Sequence, residues 1–364
     1  MEAALLQKGV EQLDKLIRSG IRNEDGNKDG RESPDSDSPS TLASLEAFHQ
    51  HRSLLFSIAY RMLGTVADAE DMVQETFLRW QNVTVAEVQS PRALLVTIIS
   101  RLCINHLQSA RLQREEYFGQ WLPEPLVTDS SADPSAALTM DESLSVGFLV
   151  LLERLTPVER AVFLLREVFD YKYREIAKIT SLSEANCRQI LRRARRRVTE
   201  GRPRFDPSPE KSEELLQRFL GATLNGDMEG LLALLSKDIL LYADGGGKTA
   251  AVPKPIVGPE NVASLILGSM RKFAPEDLVI RSTRINGQPG LVAYSAGRAD
   301  TVVTLNIVAG QIRDIYIMRN PEKLSMVPKL STSSFVEGLR IASLGRPFGI
   351  MIDCPRGPEQ ARRS

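Results

Sequence analysis

Amide and guanidinium side chains share one side of the segment 183–198. Its apolar residues recur at helical spacing, which leaves the opposite side of a predicted helix to the polar ones. Asn, Gln and Arg match the donors and acceptors on base edges, and a DNA major groove admits one helix. The candidates for such contacts are Asn186, Arg188, Gln189, Arg192, Arg193 and Arg196.

A local excess of positive charge supports this interpretation. Eight arginines lie between Arg188 and Arg204, against a single acid, Glu200. Arginines at a helix end suit phosphates and give a salt-sensitive affinity. The alternative is a solvated basic face on a structural helix, which is what an arginine run alone usually is. The helices predicted before this segment favour DNA contact.

Those helices have clear start and turn signals. Thr156-Pro157-Val158-Glu159 predicts a helix start, because threonine and glutamate at this spacing form a capping box and proline fits the first helical position. A short helix is predicted over 173–179, a turn over 180–182, and Ser183 as the N-cap of the next helix. This order is typical of a helix-turn-helix, which places its last helix in the major groove.

Composition limits the other classes of function. The chain has 364 residues and a formal net charge of +0, which predicts two or three domains and makes the arginine-rich segment a local asymmetry. Cys103, Cys187 and Cys354 have no histidine at metal-ligand spacing, so neither a metal site nor a cofactor is expected. No apolar run approaches membrane-spanning length and no secretion signal is found, so a cytoplasmic protein without membrane association is expected.

The first part of the chain is predicted to be helical. Residues 1–43 are expected to form an amphipathic helix and then a disordered polar linker. In the block that follows, one helix ends near Gly64, Thr65 caps the second and Pro91 begins the third. The second helix exposes Asp68, Asp71, Gln74 and Glu75. On spacing alone its acids have an ordinary explanation, since carboxylates near a helix N-terminus are favoured by the helix dipole.

Five motifs connect these parts to a known family. They are Ala-Tyr-Arg-Met-Leu-Gly at 59–64, Asp-Ala-Glu-Asp-Met-Val-Gln-Glu-Thr-Phe-Leu-Arg-Trp at 68–80, Pro-Arg-Ala-Leu-Leu at 91–95, Leu-Thr-Pro-Val-Glu-Arg at 155–160 and Arg-Arg-Ala-Arg-Arg-Arg at 192–197. In this order they resemble the extracytoplasmic-function (ECF) sigma factors of bacterial RNA polymerase. The resemblance covers about 44–200.

The resemblance implies roles that periodicity does not. Core RNA polymerase would be bound through its β′ clamp helices and β flap, with Asp68, Asp71, Gln74 and Glu75 as the clamp-binding residues. The −10 element would be read by Asn82, Arg101 and Asn105, where the family flips a base into a protein pocket. The arginine-rich helix would read the −35 element. Such a factor has promoter DNA as its second partner, is not an enzyme, and is expected to be monomeric off the polymerase.

Three further motifs narrow the group. Trp-Leu-Pro-Glu-Pro at 121–125, Asp-Gly-Gly-Gly-Lys at 244–248 and Asn-Pro-Glu-Lys-Leu at 320–324 resemble those of ECF sigma factors with a fused C-terminal SnoaL-like domain, related to polyketide cyclases. Glu322 stands where the group usually has Asp, which keeps the charge. In that group the added domain is thought to regulate in cis. The implied contacts are Trp121, Pro123, Asp244, Gly245, Gly246, Gly247, Lys248, Asn320 and Pro321.

The expected architecture is multidomain. An all-α sigma region 2 bundle and a region 4 helix-turn-helix precede an α+β cone of the SnoaL-like, nuclear-transport-factor-like kind. The expected boundaries are 1–43 (helix and linker), 44–112 (region 2), 113–140 (linker), 141–202 (region 4), 210–330 (SnoaL-like domain) and 331–364 (tail). In the cone, helices at 212–224, 228–235 and 259–273 accompany strands at 239–242, 278–285, 291–295, 301–308 and 312–318 in an antiparallel sheet.

Two motifs in the second half of the chain have alternative interpretations. The glycines at 245–247 with Lys248 suggest a phosphate loop, but Tyr242 stands where that loop requires glycine. Proline-flanked segments such as 121–125 are usually just stiff linkers. Trp121 is costly to leave in water, however, so it is expected to pack against the C-terminal domain and to couple that domain to the spacing of the two DNA-reading modules.

Two rival functions stay open. One is a polymerase-independent, ligand-sensing helix-turn-helix regulator. The other is a cyclase or isomerase, because the cone commonly holds a pocket in which a small ligand binds. The candidate acid/base groups of such an enzyme are Tyr242, Asp244, Tyr294, Asp314 and Tyr316. Fold similarity alone does not carry an activity across.

Overall fold

The computed structural model describes residues 39–83, 88–115, 117–128, 144–199, 209–330 and 339–340. The chain divides into two compact units, Met1–Ala43 and Ser44–Ser364, and the second contains the sheet and almost all of the described helices. The predicted N-terminal amphipathic helix and the tail after residue 340 lie outside the described residues. Among the described helices, none is both long and apolar enough to cross a bilayer.

Three helices form the first bundle: α1 (Pro39–Leu63), α2 (Val66–Gln81) and α3 (Pro91–Glu115). The first begins at Pro39, inside the segment predicted as a polar linker, so the helix extends a few residues into that segment. Gly64 has a φ of +77°, a conformation that glycine takes without strain, and it ends α1 as predicted. Trp80 is fully buried, and its indole N–H donates to the Ser44 carbonyl at 2.9 Å.

Four helices follow the linker: α4 (Val146–Leu152), α5 (Pro157–Glu167), α6 (Tyr173–Thr180) and α7 (Glu184–Thr199). The predicted capping box is present, with Thr156 and Glu159 each bonding the other's backbone. Ser181 forms the turn with a φ of 58°, and the Ser183 hydroxyl accepts from the Asn186 N–H at 3.2 Å. The predicted helix-turn-helix is therefore confirmed.

The two helical domains pack directly on each other. Arg160 makes the clearest link: its Nη1 donates to the Met62 carbonyl at 2.6 Å and to the Glu153 carboxylate at 2.8 Å. The side chain is almost fully buried between the two domains. Buried apolar side chains of both domains also belong to one continuous cluster. The bundle and the helix-turn-helix thus form one packed body.

The C-terminal domain is an α+β cone, as predicted. Three helices cover one face of its sheet: α8 (Pro209–Asn225), α9 (Met228–Leu234) and α10 (Pro259–Phe273). The strands are β1 (Val127–Thr128), β2 (Leu235–Asp244), β3 (Ile256–Val257), β4 (Val279–Ile285), β5 (Gln288–Ser295), β6 (Arg298–Val308), β7 (Gln311–Met318) and β8 (Leu339–Arg340). Their hydrogen-bonded order is β1-β4-β5-β6-β7-β2-β3, and β8 pairs with β4.

One pairing differs from the prediction of an antiparallel sheet. β2 and β7 run parallel, with Tyr242 opposite Tyr316 and Asp244 opposite Met318. Consecutive strands joined by hairpins must be antiparallel, but β2 and β7 are separated by a helix and the whole meander, so the connection does not fix their direction. Parallel pairing brings the C-terminal ends of both strands to the same edge of the sheet. The motifs that begin at Asp244 and Asn320 follow those two ends.

The interdomain linker contributes a strand that the sequence did not reveal. In β1, Val127 lies opposite Ile285 and Thr128 opposite Arg284. A two-residue strand is too short to show the alternation by which strands are recognised. The linker is thus hydrogen-bonded to β4 of the C-terminal sheet.

The sheet has apolar side chains on both faces. Leu241, Ala243 and Leu291 face the cone's own helices. On the other face, Tyr294 and Tyr316 belong to a cluster that includes Leu122 of the linker and Val146 of α4. The sheet is thus covered by its own helices on one side and by the linker and α4 on the other.

Candidate functional site

The six residues predicted to read the −35 element all lie on the exposed side of α7. Beneath them, Cys187, Ile190, Leu191 and Ala194 are buried against the other helices of the domain. The helix is therefore held by its apolar side, and its amide and guanidinium groups face solvent. This geometry suits insertion into a major groove.

Several arginines of α7 have intramolecular partners. Arg188 bonds to Glu184 at 2.9 Å and lies 4.9 Å from the Tyr173 ring centroid. Arg195 and Arg197 bond to Glu167 and Glu159, each at 2.7 Å. Exposed ion pairs of this kind are worth little, so Arg188 can exchange its partner at small cost. The two flanking arginines instead join α7 to α5.

The predicted polymerase-binding residues lie on one side of α2. Asp71 and Gln74 are exposed, whereas Asp68 and Glu75 are partly buried. The Glu75 carboxylate bonds to Arg79 at 2.8 Å, and His106 Nε2 lies 3.6 Å from Asp68. Leu78, one turn after Gln74, is 55% exposed. The sequence interpretation did not include Leu78 on this exposed side.

The three candidates for −10 recognition are not equally available. The Asn82 amide caps the end of α2 by donating to the Leu78 carbonyl at 2.9 Å. Asn105 is exposed on α3. Arg101 donates from Nε to the Ile179 carbonyl and from Nη2 to the Ser181 hydroxyl, both at 2.9 Å. In this conformation Arg101 therefore binds the end of α6, and its contact with DNA stays a prediction.

A fully buried carboxylate joins the three C-terminal-group motifs. Asp244 Oδ1 accepts from the Tyr117 hydroxyl at 2.6 Å and from the Gly246 N–H at 3.0 Å. Asp244 Oδ2 accepts from the Leu122 N–H at 2.9 Å and from Lys323 Nζ at 2.7 Å. The Asn320 amide joins them by donating from Nδ2 to the Tyr117 hydroxyl at 3.0 Å. We call Asp244, Lys323, Tyr117, Leu122 and Asn320 the Asp244 network. It unites residues that lie more than 100 positions apart in the sequence.

Lys323 is the second charge of this network. Its Nζ also donates to the Leu122 carbonyl at 2.6 Å and lies 4.3 Å from the Trp121 ring centroid. A buried ion pair adds little net stability, but removal of one partner leaves an uncompensated charge in the interior. Burial and the bond to Asp244 raise the pKa of Tyr117 well above its ordinary value, so its phenol keeps the proton that it donates. The sequence interpretation missed both Lys323 and Tyr117.

The glycine-rich turn fits closely against the Asn-Pro-Glu-Lys-Leu segment. Gly246 has a φ of +60°, and a Cβ there would stand 2.4 Å from Asn320 Nδ2. At Gly245 a Cβ would stand 2.3 Å from the Thr249 carbonyl oxygen. Lys248 forms an exposed ion pair with Glu322. The turn therefore serves close packing, and its lysine is directed to a carboxylate.

The remaining predicted contact residues of this region are Gly247, Pro123 and Pro321. Gly247 has a φ of +70°, and a Cβ there would stand 3.3 Å from Phe118. Pro123 is buried in the linker, and Pro321 is exposed.

The Trp-Leu-Pro-Glu-Pro segment also binds the first bundle. The Trp121 ring covers Gly64, where a Cβ would stand 2.5 Å from its Cη2. The Glu124 carboxylate accepts from the Val66 N–H at 2.7 Å, and its backbone carbonyl accepts from the Tyr60 hydroxyl at 2.6 Å. The linker thus lies between the bundle and the cone. Trp121 was expected to pack against the cone, and its contact with Gly64 of the bundle was not predicted.

Glu124 corrects the predicted cap of α2. The Thr65 hydroxyl donates to Asp68 and makes no cap bond. A charged acceptor at a helix N-terminus is favoured by the dipole and binds N–H groups more strongly than a hydroxyl does. Glu124 therefore replaces the local cap, and α2 begins on a residue of the linker.

The pH dependence of stability should reveal the burial of the Glu124 carboxyl. Burial raises the pKa of Glu124, and bonds from the Val66 and Ala67 N–H groups oppose the rise. A carboxyl with a higher pKa in the folded chain contributes stability below its unfolded pKa and loses it as pH rises through the folded pKa. Gln keeps an acceptor oxygen but does not titrate. The stability of the wild type relative to Glu124→Gln should therefore fall as pH rises from about 4 to about 7.

Urea unfolding of both proteins across this pH range measures the difference. Glu229→Gln is the control, because Glu229 is exposed. A wild-type advantage that stays constant or grows with pH would contradict the expectation.

Asn286 is a second junction that the sequence interpretation missed. It lies in the hairpin turn between β4 and β5, and its φ of 53° fits that position. Its Nδ2 also donates to the Tyr60 hydroxyl at 2.7 Å and to the Leu144 carbonyl at 2.9 Å, and its Oδ1 accepts from the Leu126 N–H at 3.1 Å. One buried amide thus bonds to the bundle, to the linker and to the segment just before α4.

Asn286→Gly should loosen this junction. Glycine keeps the left-handed turn but removes three hydrogen bonds, and buried groups left without partners cost about 1–3 kcal/mol. A lower urea midpoint, followed by the fluorescence of Trp80 and Trp121, is the expected result. Ala309→Gly is the matched control, since Ala309 has a φ of 51° in another hairpin. Equal effects of the two substitutions would show that only turn entropy had changed.

The cone contains a cavity of about 420 Å³ between its sheet and the helices α8 and α10. The predicted acid/base groups were Tyr242, Asp244, Tyr294, Asp314 and Tyr316. Among the described residues that line the cavity, none of these five occurs. Along their strands these five residues alternate with residues that line the cavity, so their side chains lie on the opposite face of the sheet. Burial there raises the pKa of Asp314.

Comparisons with known proteins agree with this arrangement. Residues 47–113 match the family Sigma-70 region 2, and residues 146–198 match Sigma-70, region 4. The chain is 35% identical over 300 residues to the ECF RNA polymerase sigma factor SigJ of Mycobacterium tuberculosis, covering 79% of this chain and 94% of that one. It is 33% identical over 280 residues to the probable ECF RNA polymerase sigma factor SigI of the same species, covering 76% and 93%.

A solved structure extends the likeness to the fold. The crystal structure of the Mycobacterium tuberculosis extracytoplasmic function sigma factor SigJ matches with a TM-score of 0.65 and 34% identity. The match covers 80% of this chain and 100% of that one, so it includes the cone as well as the helical domains. The chain belongs to the ECF RNA polymerase sigma factors, in the group that carries a C-terminal SnoaL-like domain.

Proposed function

We propose that this sigma factor binds core RNA polymerase and promoter DNA, and that its SnoaL-like domain restrains both activities in cis. Family membership supports the first part. The observation that carries the second is the Asp244–Lys323 pair, which holds the linker backbone at Leu122 between the cone and region 2. No catalytic step by this chain is required, because the polymerase makes the RNA.

Three surfaces are assigned to the polymerase and to the two promoter elements. The exposed side of α2, with Asp71 and Gln74 at its centre, is assigned to the β′ clamp helices, and region 4 to the β flap. The polar side of α7 is assigned to the −35 element. Asn82, Arg101 and Asn105 are assigned to the −10 element, where stacking and backbone charge bind a melted strand.

The distance between the promoter elements argues that the packed body must open. Elements named −35 and −10 lie about 25 base pairs apart, which is about 85 Å along a straight duplex. Here α3 of region 2 packs against α6 of region 4, and Arg101 bonds across that contact. One packed body of this kind does not reach both elements at once.

The linker sets how far the domains can separate. The fifteen residues 129–143 span at most about 50 Å when extended. The twenty-eight residues 116–143 span about 95 Å. Release of residues 117–128 from the Asp244 network and from β4 therefore roughly doubles the reach. The same opening frees Arg101 from α6.

These constraints indicate whether the C-terminal domain inhibits or activates the factor. If only the open state binds polymerase, contacts that favour the packed state lower the apparent affinity by the fraction of open molecules. The cone contacts the packed state through the Asp244 network and Asn286. We infer that the domain is inhibitory, and that a signal which weakens those contacts activates the factor.

Run-off transcription with bacterial core polymerase tests the sigma function. The template is the protein's own upstream region, since such factors often serve a neighbouring promoter. Transcripts that require the added protein are expected. Asp71→Arg should weaken core binding at least about tenfold by reversing a charge at the proposed interface. Asp238→Arg, at another exposed acid, is the matched control.

A result without transcripts and without core binding would contradict the sigma function. Tight binding of a palindrome without polymerase would then support a stand-alone regulator.

A further inference from the structure

One aromatic side chain connects α6 to the arginine-rich helix α7. Tyr173 is the first residue of α6, and its partly buried ring packs against the apolar cluster of the helical domains. The guanidinium carbon of Arg188 lies over this ring, 4.9 Å from its centroid. Such a contact is favourable, because the face of an aromatic ring carries partial negative charge. An arginine assigned to the −35 element is therefore held by a residue outside its own helix.

The ring is itself fixed by α5 and by the loop that follows α5. Arg166 of α5 also lies over the ring, 5.4 Å from its centroid. Arg166 Nη1 donates to the Tyr171 carbonyl at 3.0 Å and to the Asp170 carboxylate at 3.1 Å, both just before α6. These contacts lie within the domain, so they hold the ring in place before any DNA is bound.

The other partner of Arg188 is easy to exchange. Arg188 Nη2 bonds to Glu184 at 2.9 Å, and the two side chains are 55% and 42% exposed. An exposed ion pair of this kind is worth little. A guanidinium that stacks through its face keeps its N–H donors directed outward in its own plane. Arg188 can therefore leave Glu184 for a base edge and stay on the ring of Tyr173.

Guanine is the base that fits this arrangement. Its O6 and N7 accept two hydrogen bonds from one guanidinium, which is the commonest specific contact in the major groove. Arg188 also lies near the start of α7, which begins at Glu184. In a helix-turn-helix the N-terminal residues of the recognition helix contact base edges.

We propose that Tyr173 is a specificity-determining residue of this sigma factor. Its ring holds the Arg188 guanidinium in the orientation in which that group reads a guanine of the −35 element. Tyr173 positions Arg188 and does not read the base itself. This role rests on the proposed assignment of α7 to the −35 element.

Selection of DNA by the holoenzyme tests this role. The full chain is bound to bacterial core polymerase and mixed with its own upstream region, in which the bases around −35 are randomised. The bound DNA is then sequenced. The wild type should prefer guanine at one or more positions. Arg188→Ala should lower that preference at least about fivefold at one of them.

Tyr173→Leu should lower the preference for guanine about 2- to 5-fold at the position that Arg188→Ala identifies. Because this substitution removes no charge, the salt dependence of DNA binding should stay the same. Tyr173→Phe keeps the ring and should select the same DNA as the wild type. Phe273→Leu is the matched control, since it removes a ring centred 5.3 Å from the Lys272 ammonium in the cone. It should also select the same DNA as the wild type.

Several outcomes would contradict this role of Tyr173. A folded Tyr173→Leu protein that binds every −35 sequence more weakly by the same factor would show that Tyr173 only supports the domain. A normal preference for guanine in that protein, or an equal loss in Tyr173→Phe, would show that the ring does not position Arg188. If Tyr173→Leu does not fold, Tyr173→Met replaces it and must give the same loss, because methionine fills irregular space without a ring.

Failure of the −35 assignment gives a different result. A wild-type holoenzyme that binds the library without any base preference around −35 would overturn the assignment of α7, and the role of Tyr173 with it. A wild-type preference that Tyr173→Leu leaves unchanged overturns the role of Tyr173 alone.

Discussion

Asp244→Asn is expected to release the linker from the C-terminal domain. Asparagine has nearly the same shape, but its Nδ2 would face donors that Asp244 now accepts from, and Lys323 would lose its counter-charge. Breaking a buried ion pair on one side costs about 3–5 kcal/mol. Opening of the network returns Lys323 to water, so the cost should appear as local opening and not as loss of the whole fold.

Hydrogen exchange at the Leu122 amide measures this opening, because that N–H donates to Asp244. Its exchange should become at least about 100-fold faster in the variant. Asp314→Asn is the matched control, since Asp314 is a partly buried acid of the same sheet face and its carboxylate accepts from Asn306 within the cone. Unchanged exchange at Leu122 in Asp244→Asn would show that the network does not hold the linker.

Arg192→Ala is expected to remove much of the −35 recognition. Arg192 is exposed near the middle of the polar side of α7, where a recognition helix meets base edges. A bidentate contact to a base is worth about 1–3 kcal/mol, which corresponds to about 5- to 150-fold in promoter-dependent transcription. The loss should shrink on templates whose −35 sequence has been changed, since a base reader discriminates and a phosphate contact does not.

Arg195→Ala provides the control for this result. Arg195 lies on the same helix but bonds to Glu167, so it is assigned to holding α7 on α5. We expect it to lower transcription by less than about threefold, as for other exposed ion pairs. An Arg192→Ala protein that loses activity equally on all −35 sequences would contradict its role in reading bases.

The helical half of the fold was accessible from the sequence because its signals are local. The Thr156–Glu159 capping box, the Ser183 cap and the spacing of Cys187, Ile190 and Leu191 each lie within one or two helical turns. The helix α10 was predicted with its observed bounds, since Pro259 begins it.

The contacts between domains were not accessible in the same way. Glu124 caps a helix that begins 58 residues earlier, and no local pattern marks a carboxylate for that role. The turn conformation alone accounts for the asparagine at Asn286. Nothing in the sequence therefore indicated its bonds to Tyr60 and Leu144. The motifs identified Asp244 and Trp121 as contact residues, but only the fold shows that Lys323 joins them.

We propose that the Asp244 network holds this sigma factor in a state that core polymerase does not bind. The most direct measurement is the affinity of core polymerase for the full chain and for its Asp244→Asn variant, with Asp314→Asn as control. We expect at least about tenfold tighter binding by Asp244→Asn and no change in the control. Equal or weaker binding by a folded Asp244→Asn protein would contradict it.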